Sequence, residues 1–287
     1  MRTWEETIRY IRTLPEYAEL VEKAYFEEDL AANVERFRKS EEFLQTLKLL
    51  RQYSPGAKSL LDIGSGNGIS AIALALEGYE VTVSEPDPSD TVGAGAIRQL
   101  QAQYDIAGMK VYEQFAEDID VEKASFDIVY VRQAMHHAYD LRQFIANLAT
   151  LLKPGGFLFT IRDHVIYDED DKERFLREHP LQKFYGGENA FTSAEYREAM
   201  EAAGLAVLQE LSYYDSIINY FPMTHADIEK QKETKRLQFR SAFNTRVGAM
   251  RAIPGLFAVY KRKNRHLLEL NEKDIAGRMY SYIAQKK

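Results

Sequence analysis

The sequence predicts an α/β protein built on a parallel sheet, and three observations carry that expectation. Between residues 59 and 162, short apolar runs alternate with stretches of helical periodicity, as repeated βαβ units do. The apolar runs are nearly continuous, as strands covered on both faces require. A glycine-rich turn, Gly64-Ser65-Gly66-Asn67-Gly68, joins the first of these strands to the first helix.

The elements follow in order. Residues 1–52 read as a helical cap, with apolar positions three and four apart at Leu14, Ala18, Val21 and Tyr25, then at Phe43, Leu47 and Leu50. Tyr53-Ser54-Pro55-Gly56-Ala57 breaks the pattern. Ser59–Ile63 is the first strand and Ile69–Glu77 a helix. Glu80–Ser84 is the second strand, followed by a helix near 94–104. Lys110–Gln114 and Phe126–Val131 are the third and fourth, with a helix over Leu141–Leu152. The turn Lys153-Pro154-Gly155-Gly156 announces a fifth, Phe157–Arg162. Ser193–Ala203 is a helix capped by Thr192 or Ser193 and stopped at Gly204, and Leu205–Tyr213 is a sixth strand. A mostly helical stretch over about 219–275 precedes a final period-two segment, 278–285. The implied division is 1–52 cap, 53–216 core, 217–276 helical insertion and 277–287 a strand completing the core.

Composition narrows the chemistry. The chain has 287 residues, no cysteine and a net charge of −7. Thiolate catalysis and cysteine-ligated metal sites are excluded. No apolar run reaches the roughly 18–20 residues that span a bilayer, and the first six residues have no signal-peptide character. The expectation is a cytoplasmic protein without membrane or nucleic-acid partners. The charge is uneven, however: His225–His266 holds 11 basic and three acidic residues. Such a stretch suits an anionic acceptor, or else it is a solvated helix face.

The turn carries the cofactor argument. Glycines let backbone approach a ligand where a Cβ would clash. Glu85, at the end of the next strand, is placed to accept hydrogen bonds from two ribose hydroxyls. A dinucleotide turn has the pattern GxGxxG, whereas here Gly64, Gly66 and Gly68 alternate and position 69 is Ile. Asp62 would repel a pyrophosphate and attract an amine. Charge and spacing together favour S-adenosylmethionine (SAM), which carries an ammonium and a sulfonium and no phosphate.

At these motifs the chain resembles the class I SAM-dependent methyltransferases, of the group called methyltransferase type 11, over residues 58–163. The resemblance implies a Rossmann-like seven-stranded sheet with helices on both faces. Its seventh strand, here 279–284, would run antiparallel between the fifth and sixth. It implies that Asp62, Gly64, Ser65, Gly66, Asn67 and Gly68 wrap the methionine part of SAM. Glu85 would hold the ribose and Pro86 would flank the adenine. Phe115, Ala116 and Glu117 stand where the family's adenine-binding motif lies. Phe115 replaces its usual Asp, so Glu117 or Asp118 substitutes for that Asp, or Phe115 packs on the base. Arg132 and Gln133 would lie beside the SAM carboxylate and methyl, and S-adenosylhomocysteine would be the product.

On the acceptor side His136 has the spacing of a general base, while the pair His136-His137 equally suits a helix start. Asp163 and His164 face the same rim as base, ligand or cap, and Tyr185–Asn189 could hydrogen-bond an acceptor. No metal is expected. The expected activity is SN2 methyl transfer to a small-molecule acceptor, with oxygen favoured. The rival readings are a SAM-binding protein without catalysis and an NAD(P)-dependent oxidoreductase. The Tyr-x-x-x-Lys pair of the latter occurs only as Tyr282 and Lys286.

Overall fold

A computed structural model describes residues 1–287, the side chain of Arg251 apart. Four helices open the chain: α1 (Trp4–Arg12), α2 (Ala18–Lys23), α3 (Leu30–Lys39) and α4 (Glu41–Tyr53). Each long one starts on a side-chain cap. Thr3 and Glu6 form a reciprocal capping box on α1, Asp29 caps α3 and Ser40 caps α4.

The βα alternation then begins: β1 (Ser59–Ile63), α5 (Ile69–Leu76), β2 (Glu80–Ser84), α6 (Ala94–Gln103), β3 (Lys110–Tyr112), β4 (Phe126–Arg132), α7 (Leu141–Leu151) and β5 (Leu152–Ile166). After it come α8 (Glu169–Glu178), α9 (Gln182–Tyr185), the two-residue β6 (Phe191–Thr192), α10 (Ser193–Ala202), β7 (Leu205–Leu211) and α11 (Ile217–Tyr220). Two helices, α12 (His225–Val247) and α13 (Leu256–Lys263), separate these from the last strand, β8 (Met279–Lys286).

The sheet order is β3-β2-β1-β4-β5-β8-β7, with β6 paired to β5 off this path. β1 through β5 pair in parallel, and β8 runs antiparallel between β5 and β7. This is the expected arrangement, with β6 an addition. Its chemistry is ordinary: β1, β4 and β5 are buried almost along their whole length, as their unbroken apolar runs require.

Two local readings change. β5 begins at Leu152, not Phe157, because Phe126 pairs with Leu152 and Ile128 with Phe157. The Lys153–Gly156 turn is therefore a bulge inside the β4–β5 ladder, with Gly155 at φ +76°. A second irregularity on β5, between Thr160 and Asp163 in its pairing with β8, places Arg162 at φ +62°.

By packing, the chain forms two units, Met1–Tyr220 with Ala276–Lys287, and Phe221–Ile275. Within the second, Phe239 and Phe243 on α12 pack against Phe257 and Tyr260 of α13 at ring-centroid distances of 5.0–6.2 Å. Their helical spacing thus serves the unit's own small core. No helix among the described residues is long and apolar enough to cross a membrane.

Candidate active site

The C-terminal ends of β1, β2, β4 and β5 converge where open parallel sheets bind ligands. Between β1 and α5 the turn is wound through three left-handed glycines, Gly64, Gly66 and Gly68, at φ +63°, +58° and +84°. Space is as binding as conformation. A Cβ on Gly64 would sit 2.7 Å from Ala134 Cβ, and one on Gly68 2.7 Å from Ile97 Cγ1.

Asp62 lies beneath this turn, fully buried. Its Oδ2 accepts from Ser65 Oγ at 2.7 Å and Ser70 Oγ at 2.8 Å. Its Oδ1 is buried and has no hydrogen-bond partner. Burial pushes the carboxyl up to about 6, against the two serine hydroxyls. A buried anion with one oxygen unmatched is suited to a cationic donor, and the ammonium of SAM is such a group.

Glu85 follows β2 and is also buried. It accepts from Gly66 N–H at 2.6 Å through Oε2 and from Asp87 N–H at 3.0 Å through Oε1. The acid therefore ties the turn to the strand end, and each oxygen keeps lone-pair capacity for a ribose hydroxyl. Burial raises its carboxyl to about 7, more than the two amides lower it. Asn67 is held from the N-terminal region, its Nδ2 donating to Tyr25 O at 2.7 Å. Pro86 is half-buried beside Glu85.

The third motif is open. Phe115 is 62% exposed and Ala116 is buried. Glu117 is exposed, and its carbonyl accepts from Asn147 Nδ2 at 3.0 Å. Phe115 is thus the side chain with a free face in the place where the family puts an adenine.

Arg132 ends β4. Its Nε and Nη2 fork onto Glu42 of α4 at 2.6 and 3.2 Å, and Arg162 Nη1 stands 3.7 Å from the same carboxylate. Glu42 is 1% exposed, and the pairing overcomes burial to hold its carboxyl below the usual range. Arg132 Nη1 lies outside that pair. Gln133 is left-handed at φ +53° and donates its backbone N–H to Ile161 O at 2.9 Å. Glu42 carried no signal in the sequence, because an acid on an amphipathic helix reads as solvated until its partner is known.

Past β4, His136 is buried, and Asp163 Oδ1 lies 3.0 Å from its Nδ1 and 3.1 Å from its backbone N. Its Nε2 faces Glu188 Oε2 at 3.5 Å. Burial disfavours the imidazolium, but the two carboxylates outweigh it and lift His136 to about 9. His137 and His164 are the opposite case: burial lowers both, His137 to about 4. His164 Nδ1 lies 2.8 Å from Gly277 O, and His137 Nδ1 lies 2.9 Å from Gly187 O. Tyr185 OH donates to Glu188 Oε1, and His179 Nδ1 lies 3.5 Å from that oxygen.

The structure therefore gathers His136, Asp163, His164, Tyr185 and Glu188, all named from sequence, into one cluster. It adds His179, which no motif marked. It gives no support to His136 as a free base. Such a base presents a ring nitrogen to the acceptor, and here both nitrogens face carboxylates.

A family model described as methyltransferase domain matches residues 31–210. A ubiquinone biosynthesis O-methyltransferase from Methylobacterium nodulans is 32% identical over 164 residues, 53% of this chain and 61% of the relative. The O-methyltransferase resE of Aspergillus sclerotiorum is 29% identical over 38% of this chain and 40% of its own. The chain thus spans less than two thirds of the curated relatives it matches. Among solved structures, geranyl diphosphate C-methyltransferase from Streptomyces coelicolor, in complex with S-adenosyl-L-homocysteine, superposes with TM-score 0.56 at 14% identity, covering 90% of this chain and 82% of that one. The YcgJ protein of Bacillus subtilis gives 0.53 at 19% identity, over 85% and 99%. These two likenesses establish the fold. With the family model matching more than half of the chain, and the glycine turn and strand-end acid in their sheet positions, the chain belongs to the methyltransferase-domain family of class I SAM-dependent enzymes.

Proposed function

We propose that this protein transfers a methyl group from SAM to a hydroxyl oxygen of a small-molecule acceptor. The observation that carries the reading is Asp62: a fully buried carboxylate with one unpartnered oxygen, under a glycine turn whose neighbouring strand ends in Glu85. Membership of the family sets the oxidoreductase alternative aside. Tyr282, which that alternative needs at the rim, is wholly buried in β8.

When bound, SAM supplies a sulfonium methyl open to in-line attack. The chain's own residues bind and orient. Asp62 takes the ammonium, Glu85 the ribose hydroxyls, and the exposed Phe115 ring offers a face for the adenine. Arg132 takes the carboxylate through the nitrogen outside its Glu42 pair. Ala134 packs close against Gly64 and leaves no room there for a side chain. A hydroxyl acidic enough to ionise near neutral pH, such as that of an electron-poor phenol, needs little more than this positioning. Oxygen as the acceptor atom is supported by relatives named O-methyltransferases.

Incubation with methyl-labelled SAM and a panel of phenols, aliphatic alcohols and carboxylic acids tests the reading. Label should move to at least one hydroxyl-bearing acceptor. SAM binding with no label transfer to the panel or to whole-cell extract would favour a non-catalytic SAM-binding protein.

A further inference from the structure

We propose that His136, His164 and Glu188 form a binding site for one divalent first-row transition-metal ion. The proposal goes beyond the methyl-transfer reading and does not depend on it. It also runs against the sequence-based expectation of no metal.

Each of the three residues offers one donor atom, and these atoms lie within 4.8 Å of one another. His136 Nε2 and Glu188 Oε2 are 3.5 Å apart. An ion about 2.1 Å from each donor draws tetrahedral ligands to roughly 3.4 Å separation. The His136–Glu188 separation already matches, and the distances to His164, at most 4.8 Å, must close by up to about 1.4 Å.

The surroundings are those of a ligand set and not of a chance grouping. Histidine that ligates through one nitrogen commonly directs the other at a carboxylate or backbone carbonyl, which fixes tautomer and ring orientation. Both histidines here do so. His136 Nδ1 is held by Asp163 at 3.0 Å and His164 Nδ1 by the Gly277 carbonyl at 2.8 Å. Each is left with Nε2 as its remaining donor. Gly277 is itself constrained: at φ +65°, a Cβ on it would meet Phe175 at 2.8 Å and His164 Nδ1 at 3.4 Å. Only glycine brings that carbonyl to the ring. Glu188 is oriented in turn by the Tyr185 hydroxyl on its Oε1, with His179 3.5 Å away. The side chains of His136 and Glu188 are 3% and 5% exposed, so the donors are withdrawn from competing water.

Two imidazoles and one carboxylate select for zinc, cobalt, manganese, iron or nickel over magnesium or calcium, which prefer all-oxygen sets. The three protein donors leave at least one coordination position for water or an exogenous ligand.

The test uses the full chain stripped with a chelator. Cobalt(II) titration should give a ligand-field absorption band saturating at one ion per chain, and zinc(II) should bind with the same stoichiometry by calorimetry and raise Tm. His164→Ala and Glu188→Gln should each weaken binding at least tenfold, while His266→Ala, an exposed histidine, should leave it unchanged. If His164→Ala does not fold, judged by circular dichroism, Glu188→Gln decides alone. Failure of the wild-type chain to bind stoichiometrically, or affinity unchanged in Glu188→Gln, would overturn the proposal. The cluster would then be a hydrogen-bonded network only. SAM affinity, measured separately on the same preparations, keeps this outcome distinct from that of the methyl-transfer reading.

Discussion

Two buried acids set the site's behaviour. In the ligand-free protein Asp62 and Glu85 titrate near pH 6 and 7, well above the ordinary 3.8 and 4.5, chiefly because burial penalises the anion. The folded state therefore binds more protons than the unfolded one between about pH 4 and 7, and unliganded stability falls as pH rises through that window. SAM favours both ionised forms, so its affinity should move the other way, tightening roughly 100-fold between pH 5.5 and 7.5. Calorimetry across that range checks it, and an affinity flat with pH would count against both assignments. Gly68→Ala is predicted to lower stability by at least about 1 kcal/mol, since the new Cβ must bear φ +84° and a 2.7 Å approach to Ile97; thermal denaturation reads it out. At this scale the sequence was informative on the cofactor side, because alternating glycines and a strand-end acid have few other uses. It was mute on Glu42 and His179, whose roles exist only through partners 90 residues from Glu42 and nine from His179.

Among elements, the junction of α4 with the ends of β4 and β5 stands out. Glu42 faces both Arg132 and Arg162, all three buried or nearly so, and Arg162 also donates to Ile218 O at 2.5 Å. Removing one partner of such a group strands the others in low dielectric. Glu42→Gln should therefore cost about 3–5 kcal/mol in denaturant unfolding, whereas truncating the exposed pair Arg142–Glu198 should cost less than about 1 kcal/mol. A Glu42→Gln loss no larger than the surface pair's would show that water reaches the junction. Element types along the core were legible, since period and burial agree for β1, β4, β5, α5 and α7. The bulges were not. A Pro-Gly-Gly run reads as a turn leading into a strand, whereas the chain is already paired at Leu152, loops out and resumes the same ladder at Phe157.

For the whole molecule, the βα alternation and its closing antiparallel strand were readable because each strand's apolar run is set by burial on two faces. β8 was identified as the inserted strand although 67 residues separate it from the end of β7 at Leu211, the periodicity of Met279–Lys286 outweighing the distance in sequence. The stretch between them reads as helical but hides its organisation. Phe221–Ile275 is a compact unit with its own aromatic core, and the 11 basic residues of His225–His266 all fall within it. Phe243→Ala, which removes a ring packed on Phe257 and Tyr260, should speed amide exchange across α12 and α13 selectively. Unchanged protection there would mean the rings contribute little to that unit.

The central claim is that the Gly64–Gly68 turn, Asp62 and Glu85 form a SAM site. Isothermal titration of the wild-type chain and of Glu85→Ala with SAM, and of the wild type with NAD, tests it most directly. One SAM should bind per wild-type chain, about 100-fold more weakly in Glu85→Ala for the loss of two charge-assisted hydrogen bonds, and NAD should not bind. NAD binding without SAM binding, or SAM affinity untouched by Glu85→Ala, would contradict the account.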